Sequence, residues 1–265
     1  MHTKFFFGLI ASMTIGFSSA SQALINGVDR AVRGESATVA LLNVDNDFLC
    51  TGAIINEEWI LTVADNKCRS AQTIRIDSEK WNANGNLINI NQTSAVFNYD
   101  NTLLLYKLVS SIPVGPTLRH ERIPLLAPRS DSAISYRAEL FELDALTLEG
   151  WGKRCNPCET SDSLLTASAT ISEGASVSFI DFINNGNDPD AYFSTIPINF
   201  TVIDPSPIVP STDTGTLIFV NTPFRTSHEK SLIGFYSSDN FTGVDNQFKT
   251  FTPDDLTWIN TTTSQ

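Results

Sequence analysis

Cys50-Thr51-Gly52-Ala53-Ile54-Ile55-Asn56-Glu57-Glu58-Trp59-Ile60-Leu61-Thr62-Val63-Ala64-Asp65 is the stretch on whose reading the fold turns. Its apolar residues come in short runs broken by polar residues, and the rest of the chain follows the same habit. Comparable runs are Thr38-Val39-Ala40-Leu41-Leu42, Thr73-Ile74-Arg75-Ile76, Leu87-Ile88-Asn89-Ile90, Ala175-Ser176-Val177-Ser178-Phe179, Thr216-Leu217-Ile218-Phe219-Val220 and Ser231-Leu232-Ile233-Gly234-Phe235. Many alternate, and Asn, Asp, Gly and Ser separate them, which is the pattern of strands in an all-β sandwich or barrel. Helical periodicity stands out only at the end of the chain. There Thr252 can cap, Pro253 suits the first helical position and Asp254 and Asp255 favour the positive helix terminus, while Leu256, Trp258 and Ile259 supply an apolar face.

With 265 residues, 42% of them hydrophobic, the chain suits two packed β-barrels with full cores and gives no sign of disorder. Residues 1–23 read as a secretory signal. Lys4 gives a basic start, Phe5 to Ile15 is apolar but too short to span a bilayer, and Ser21-Gln22-Ala23 suits cleavage. No later segment is long and apolar enough for a membrane helix. The expected location is therefore outside the cytoplasm, extracellular or periplasmic. The net charge is −12, and removing the signal deletes only one charged side chain. Such an acidic chain is a poor partner for nucleic acid or anionic lipid, and the acid surplus reads as serving solubility, with a cationic partner as the alternative. Sequons at Asn91, Asn199, Asn240 and Asn260 matter only in a glycosylating host.

In their order and spacing several segments resemble the chymotrypsin/trypsin-type serine proteases. Leu24-Ile25-Asn26-Gly27 is similar to the family's mature amino terminus, and Cys50 to Ala64 to the run that leads into its catalytic histidine. Asn101-Thr102-Leu103-Leu104-Leu105-Tyr106-Lys107-Leu108 resembles the buried strand headed by the catalytic aspartate. Gly150-Trp151-Gly152 opens the second half, Ser211-Thr212-Asp213-Thr214-Gly215 is in register with the nucleophile loop, and Phe251 to Trp258 resembles the terminal strand and helix. The resemblance implies two six-stranded antiparallel β-barrels and a carboxy-terminal helix within a domain spanning 24–265. The first barrel is expected at about 24–108 and a Pro-, Ser- and Arg-rich linker at about 109–129. The second barrel and helix follow at about 130–265.

The same resemblance places Asp65, Thr102 and Thr214 where the family carries His, Asp and Ser. Serine-protease acyl transfer needs a hydroxyl nucleophile, an imidazole to take its proton and a carboxylate to hold the imidazole's tautomer. A carboxylate at 65 is a feeble base for an alcohol at neutral pH. Thr102 offers no orienting anion, and the extra methyl of Thr214 stiffens its side chain and crowds the point of attack. Thr212 replaces a glycine of the oxyanion hole. Ile208 falls at the floor of the specificity pocket, and Asp239 puts a charge where the family has bare backbone. His120 and His228, the histidines beyond the signal, read as surface residues.

What the family pattern retains is structural. Cys50 and Cys68 fall where it pairs the strands flanking the histidine loop, and Asp213 falls where its carboxylate receives the new terminal ammonium, here of Leu24. Cys155-Asn156-Pro157-Cys158 reads as a local disulfide in a surface loop; a redox pair is the alternative, and zinc lacks further ligands. No cofactor or metal is expected. The reading is a secreted trypsin-like protein that has lost catalysis and binds a protein or peptide. The alternative is an active serine-type endopeptidase with divergent residues, Ser211 and Ser237 being the nearby serines. We expect the mature chain to begin at Leu24 with its ammonium on Asp213. Asp213→Asn, or extra residues before Leu24, then costs about 3–5 kcal/mol and lowers the melting temperature. A different start on N-terminal sequencing, or an unmoved melting curve, would leave Asp213 an ordinary turn residue.

Overall fold

The computed structural model describes residues 28–29, 37–78, 80–83, 85–113, 125–126, 146–151, 162–172, 199–202, 214–221, 230–236 and 248–264. In chain order the strands are Val28–Asp29 (β1), Thr38–Leu42 (β2), Phe48–Ile54 (β3), Trp59–Val63 (β4), Thr73–Ile76 (β5), Asn86–Asn89 (β6), Val96–Phe97 (β7) and Leu103–Lys107 (β8). Then come Leu125–Leu126 (β9), Leu146–Gly150 (β10), Leu165–Ser172 (β11), Asn199–Val202 (β12), Leu217–Asn221 (β13), Lys230–Tyr236 (β14) and Phe248–Thr250 (β15). Among the described residues one α-helix, Pro253–Thr263 (α1), follows β15. The apolar runs at 38–42, 73–76, 87–90, 216–220 and 231–235 lie on β2, β5, β6, β13 and β14; the run at 175–179 lies outside the described residues.

The first sheet runs β6-β5-β2-β3-β4-β8-β7. It then closes. The Asn91 N–H donates to the Lys107 carbonyl at 2.8 Å, the Val109 N–H donates to the Asn89 carbonyl at 2.9 Å, and Ile90 bridges to Leu108. These bonds tie the end of β6 to the end of β8, which makes six strands a barrel with few open edges. Side chains fill it by strand alternation. On β5, Ile74 and Ile76 are buried while Thr73 and Arg75 are half-buried. Gly52 on β3 permits the close approach of its neighbours, since a Cβ there would stand 2.5 Å from Leu41 Cδ1 and 3.2 Å from the Leu61 carbonyl.

Strand β2 is buried along its whole length because both faces are covered. Val39 and Leu41 join the first barrel's core with Ile54, Leu61 and Leu104. Ala40 and Leu42 face the other way and pack with Trp151 and Leu164 of the second half. Phe48 sits beside them, 6.1 Å from the Trp81 ring and 6.2 Å from the Trp151 ring between centroids.

The second sheet follows the path β1-β11-β10-β13-β14-β15, with β12 added on β11 and β9 on β14. It therefore holds eight described strands, and the β9–β14 pair is parallel where the others are antiparallel. β9 comes from the stretch that reads as a linker. β1 comes from the stretch that reads as the start of the first barrel, yet Val28 and Asp29 pair with Thr166 and Leu165. At the other end, Leu256 and Ile259 of α1 enter the core shared with the first barrel's strands. Each terminal element thus reaches across to the opposite half. α1 begins as its residues foretell: Thr252 caps, Pro253 leads, and Thr252 and Asp255 exchange side-chain-to-backbone bonds in a capping box.

Cys50 on β3 and Cys68, at the head of a short 3-10 turn, form a buried disulfide with Cα atoms 5.7 Å apart. Tyr106 on β8 secures the same turn by donating its hydroxyl to the Cys68 carbonyl at 2.8 Å. Burial pushes the Tyr106 phenol up to about 12, with the nearby Arg69 pulling the other way. We expect Cys50→Ala with Cys68→Ala to cost about 3 kcal/mol, because the bridge closes a loop of 18 residues. Urea denaturation of the double variant measures this. The phenol holds its proton more tightly folded than unfolded, so its share of stability is full below about pH 10 and lost as pH rises toward 12. Tyr106→Phe should flatten that alkaline decline relative to wild type, at a cost of about 1 kcal/mol at neutral pH. Identical alkaline melting profiles for both proteins would refute the assignment.

Candidate functional site

Strand pairing brings the segments of Asp65 and Thr102 together. β4 and β8 pair Val63 with Leu103, and one step further the Ala64 N–H donates to the Thr102 carbonyl at 2.9 Å. Asp65 follows directly and is only 4% exposed. Its Oδ1 accepts the Lys67 N–H at 2.8 Å and its carbonyl accepts the Arg69 N–H at 3.0 Å, so the residue shapes the turn that leads to Cys68. Arg69 folds back over this turn. Its Nε donates to the Ala64 carbonyl at 2.7 Å, and its guanidinium lies 4.8 Å from the centre of the Phe97 ring.

Thr102 ends a compact loop. Its hydroxyl donates to Asp100 Oδ1 at 2.5 Å, and its N–H is directed at Asp100 Oδ1 and at Asn98 Oδ1, 3.0 and 2.9 Å away. Asn101 just before it adopts a left-handed backbone, φ 57°, which asparagine tolerates better than most residues. Asn98 is buried beneath the loop and also donates to Thr102 Oγ1 at 3.3 Å. Thr102 therefore belongs to a polar network built on Asp100 and Asn98.

The second barrel supplies Thr214, which is 2% exposed. Its carbonyl accepts the Thr51 N–H at 3.3 Å across the interface. Gly215 follows at φ 82°, and a side chain there would collide with the Thr51 backbone, so glycine is required on both counts. The loop is fixed to its own barrel by the Gly215 N–H to the Tyr236 carbonyl, 2.8 Å, and the Tyr236 N–H to the Thr216 carbonyl, 2.9 Å.

Thr51 is the hub of this seam. Besides its bond to Thr214, its carbonyl accepts the Thr62 hydroxyl at 2.8 Å and its own hydroxyl accepts the Trp151 N–H at 3.3 Å. Close by, Thr38 donates to the fully buried Glu149 at 2.9 Å. The seam thus joins β3, β4, β10 and the 214–216 turn. Chemically it gathers the Glu149 carboxylate and the hydroxyls of Thr38, Thr51 and Thr62; acid–base chemistry at neutral pH is most often done with an imidazole.

Of the residues singled out in the sequence, Asp65, Thr102, Thr214, Cys50 and Cys68 are described. Leu24, Asp213, Cys155, Cys158, Ile208, Thr212, Asp239, His120, His228, Ser211 and Ser237 lie outside the described residues. Thr51 and Glu149 in the seam, and Asn98 and Arg69 beside Thr102 and Asp65, carry no signal in a single sequence that marks those contacts. Asp255 had one: Thr252 three residues ahead makes the spacing of a capping box.

A family model described as Trypsin matches residues 25–175. No curated protein matches the sequence. Among solved structures, neuropsin, a serine protease expressed in the limbic system of mouse brain, aligns with a TM-score of 0.60 at 14% identity, covering 90% of this chain and 99% of its own. A mutant of human heparin binding protein aligns with a TM-score of 0.62, also at 14% identity, covering 91% and 96% respectively. At that identity the structural likeness speaks to the fold, and the family model speaks to descent. Matched over more than half its length, the chain belongs to the trypsin family.

Proposed function

We propose that this trypsin-family chain is exported, to the extracellular space or the periplasm, does not hydrolyse peptides, and acts by binding a protein or peptide. In this reading residues 1–23 are a removed signal and 24–265 form the domain. The observation that carries it is the disposition of Asp65. By the family's segment order a carboxylate falls where the imidazole belongs, and its Oδ1 is engaged by the Lys67 N–H in the local turn. Thr102 supports the same reading, because a neutral hydroxyl bound to Asp100 replaces the anion that orients an imidazole. Thr212, Ile208 and Asp239 add to it through the oxyanion hole, the pocket floor and the substrate-lining strand, as the family pattern implies. Losing base, orienting group and serine together leaves only the small residual rate that binding and oxyanion contacts supply.

One solved neighbour is named for binding heparin, a polyanion. A chain of net charge −12 repels such a ligand, so a neutral or cationic protein surface is the better match. The competing reading is an active endopeptidase with divergent residues, favoured by the intact Thr214 hydroxyl on an ordered turn.

The test is a fluorophosphonate probe together with a broad peptide library, each run on wild type and on Thr214→Ala. We expect neither labelling nor turnover above that control. A clear difference between the two proteins would establish a working nucleophile and sink the proposal. Combining Asp65→His, Thr102→Asp and Thr214→Ser should restore only weak activity, since Thr212 and Asp239 remain.

A further inference from the structure

Asn98 and Asp255 are 157 residues apart in sequence and both are buried, at 3% and 0% exposure. The Asn98 side chain faces two ways. Its oxygen accepts the N–H groups of Thr102 and Leu103 at 2.9 and 3.0 Å, and its Nδ2 donates to Asp255 Oδ1 at 2.8 Å. The other carboxylate oxygen, Oδ2, accepts the N–H and the hydroxyl of Thr252, both at 2.9 Å. One amide thus joins the loop that ends at Thr102 to the first turn of α1. This attachment is separate from the apolar one, in which Leu256 and Ile259 seat the helix on the core.

We infer that the Asn98–Asp255 hydrogen bond is a clasp that couples the docking of α1 to the shape of the 98–102 loop, so that the two tighten or loosen together. A buried amide bound to a carboxylate makes a strong hydrogen bond, and opening it costs more than opening one between neutral groups. Coupling of this kind is reciprocal. Whatever orders the loop from outside strengthens the seat of the helix, and whatever lifts the helix start frees the loop. The effect extends to Asp65, whose segment hangs on the Thr102 carbonyl through the Ala64 N–H. The clasp goes beyond the proposed function and holds whether or not the chain hydrolyses anything.

Two variants of the full chain test it by hydrogen–deuterium exchange. Asn98→Asp keeps the acceptor for Thr102 and Leu103 but sets a carboxylate against Asp255. The pair Asn98→Asp with Asp255→Asn rebuilds the bond with donor and acceptor exchanged. In the single variant the Thr102, Leu103 and Leu256 amides should exchange about tenfold faster or more, while Ala53 and Leu61 stay as protected as in wild type. The exchanged pair should return all three to near wild-type protection. A single variant that fails to fold beside a pair that folds also supports the clasp. Unchanged loop amides in the single variant, a pair that does not recover, or a pair that does not fold overturns it.

Discussion

Closure of the first sheet is the constraint on which the rest depends. Once the Asn89–Asn91 end of β6 is bonded to the Lys107–Val109 end of β8, the register of every strand between them is fixed. Val63 must then stand opposite Leu103, which puts Ala64 against Thr102 and leaves Asp65 at the rim. β2 must show Ala40 and Leu42 to the outside, where only a second apolar surface can cover them. The second sheet packs there, and the Thr51–Thr214 bond follows from that packing.

The scaffold and the chemistry of this family are separable because they draw on different interactions. The described seam is held by backbone groups, threonine hydroxyls and a glycine of left-handed conformation, all of which serve the fold without regard to a reaction. Proton transfer asks in addition for a side chain of suitable basicity at one point. Asp65, which the family's segment order sets at that point, builds the turn toward Cys68 and so has structural work to do.

Strand positions were legible where alternation or continuous apolar runs record a buried face, as in β2, β5 and β14. The helix start was legible because Thr252, Pro253 and Asp255 obey local rules of capping. The crossing of β1 into the second sheet was not, since two residues, Val28 and Asp29, carry no period. β9 was hidden for the same reason inside a stretch rich in Pro and Ser. Asp65, Thr102 and Thr214 could be found through the family's segment order. Asn98 and Thr51 could not, because their partners are set by contacts between residues far apart in the chain.

The exchanged ends have a mechanical meaning. β1 is woven into the sheet of the later half, while the start of α1 is bonded to Asn98 of the earlier half. The molecule is therefore laced like a boot, each end crossing to the far side. Cutting the chain between the halves would not by itself set them apart, because each fragment would still hold a piece of the other. Separation would require unthreading both terminal elements, so a nicked molecule would keep its buried seam closed.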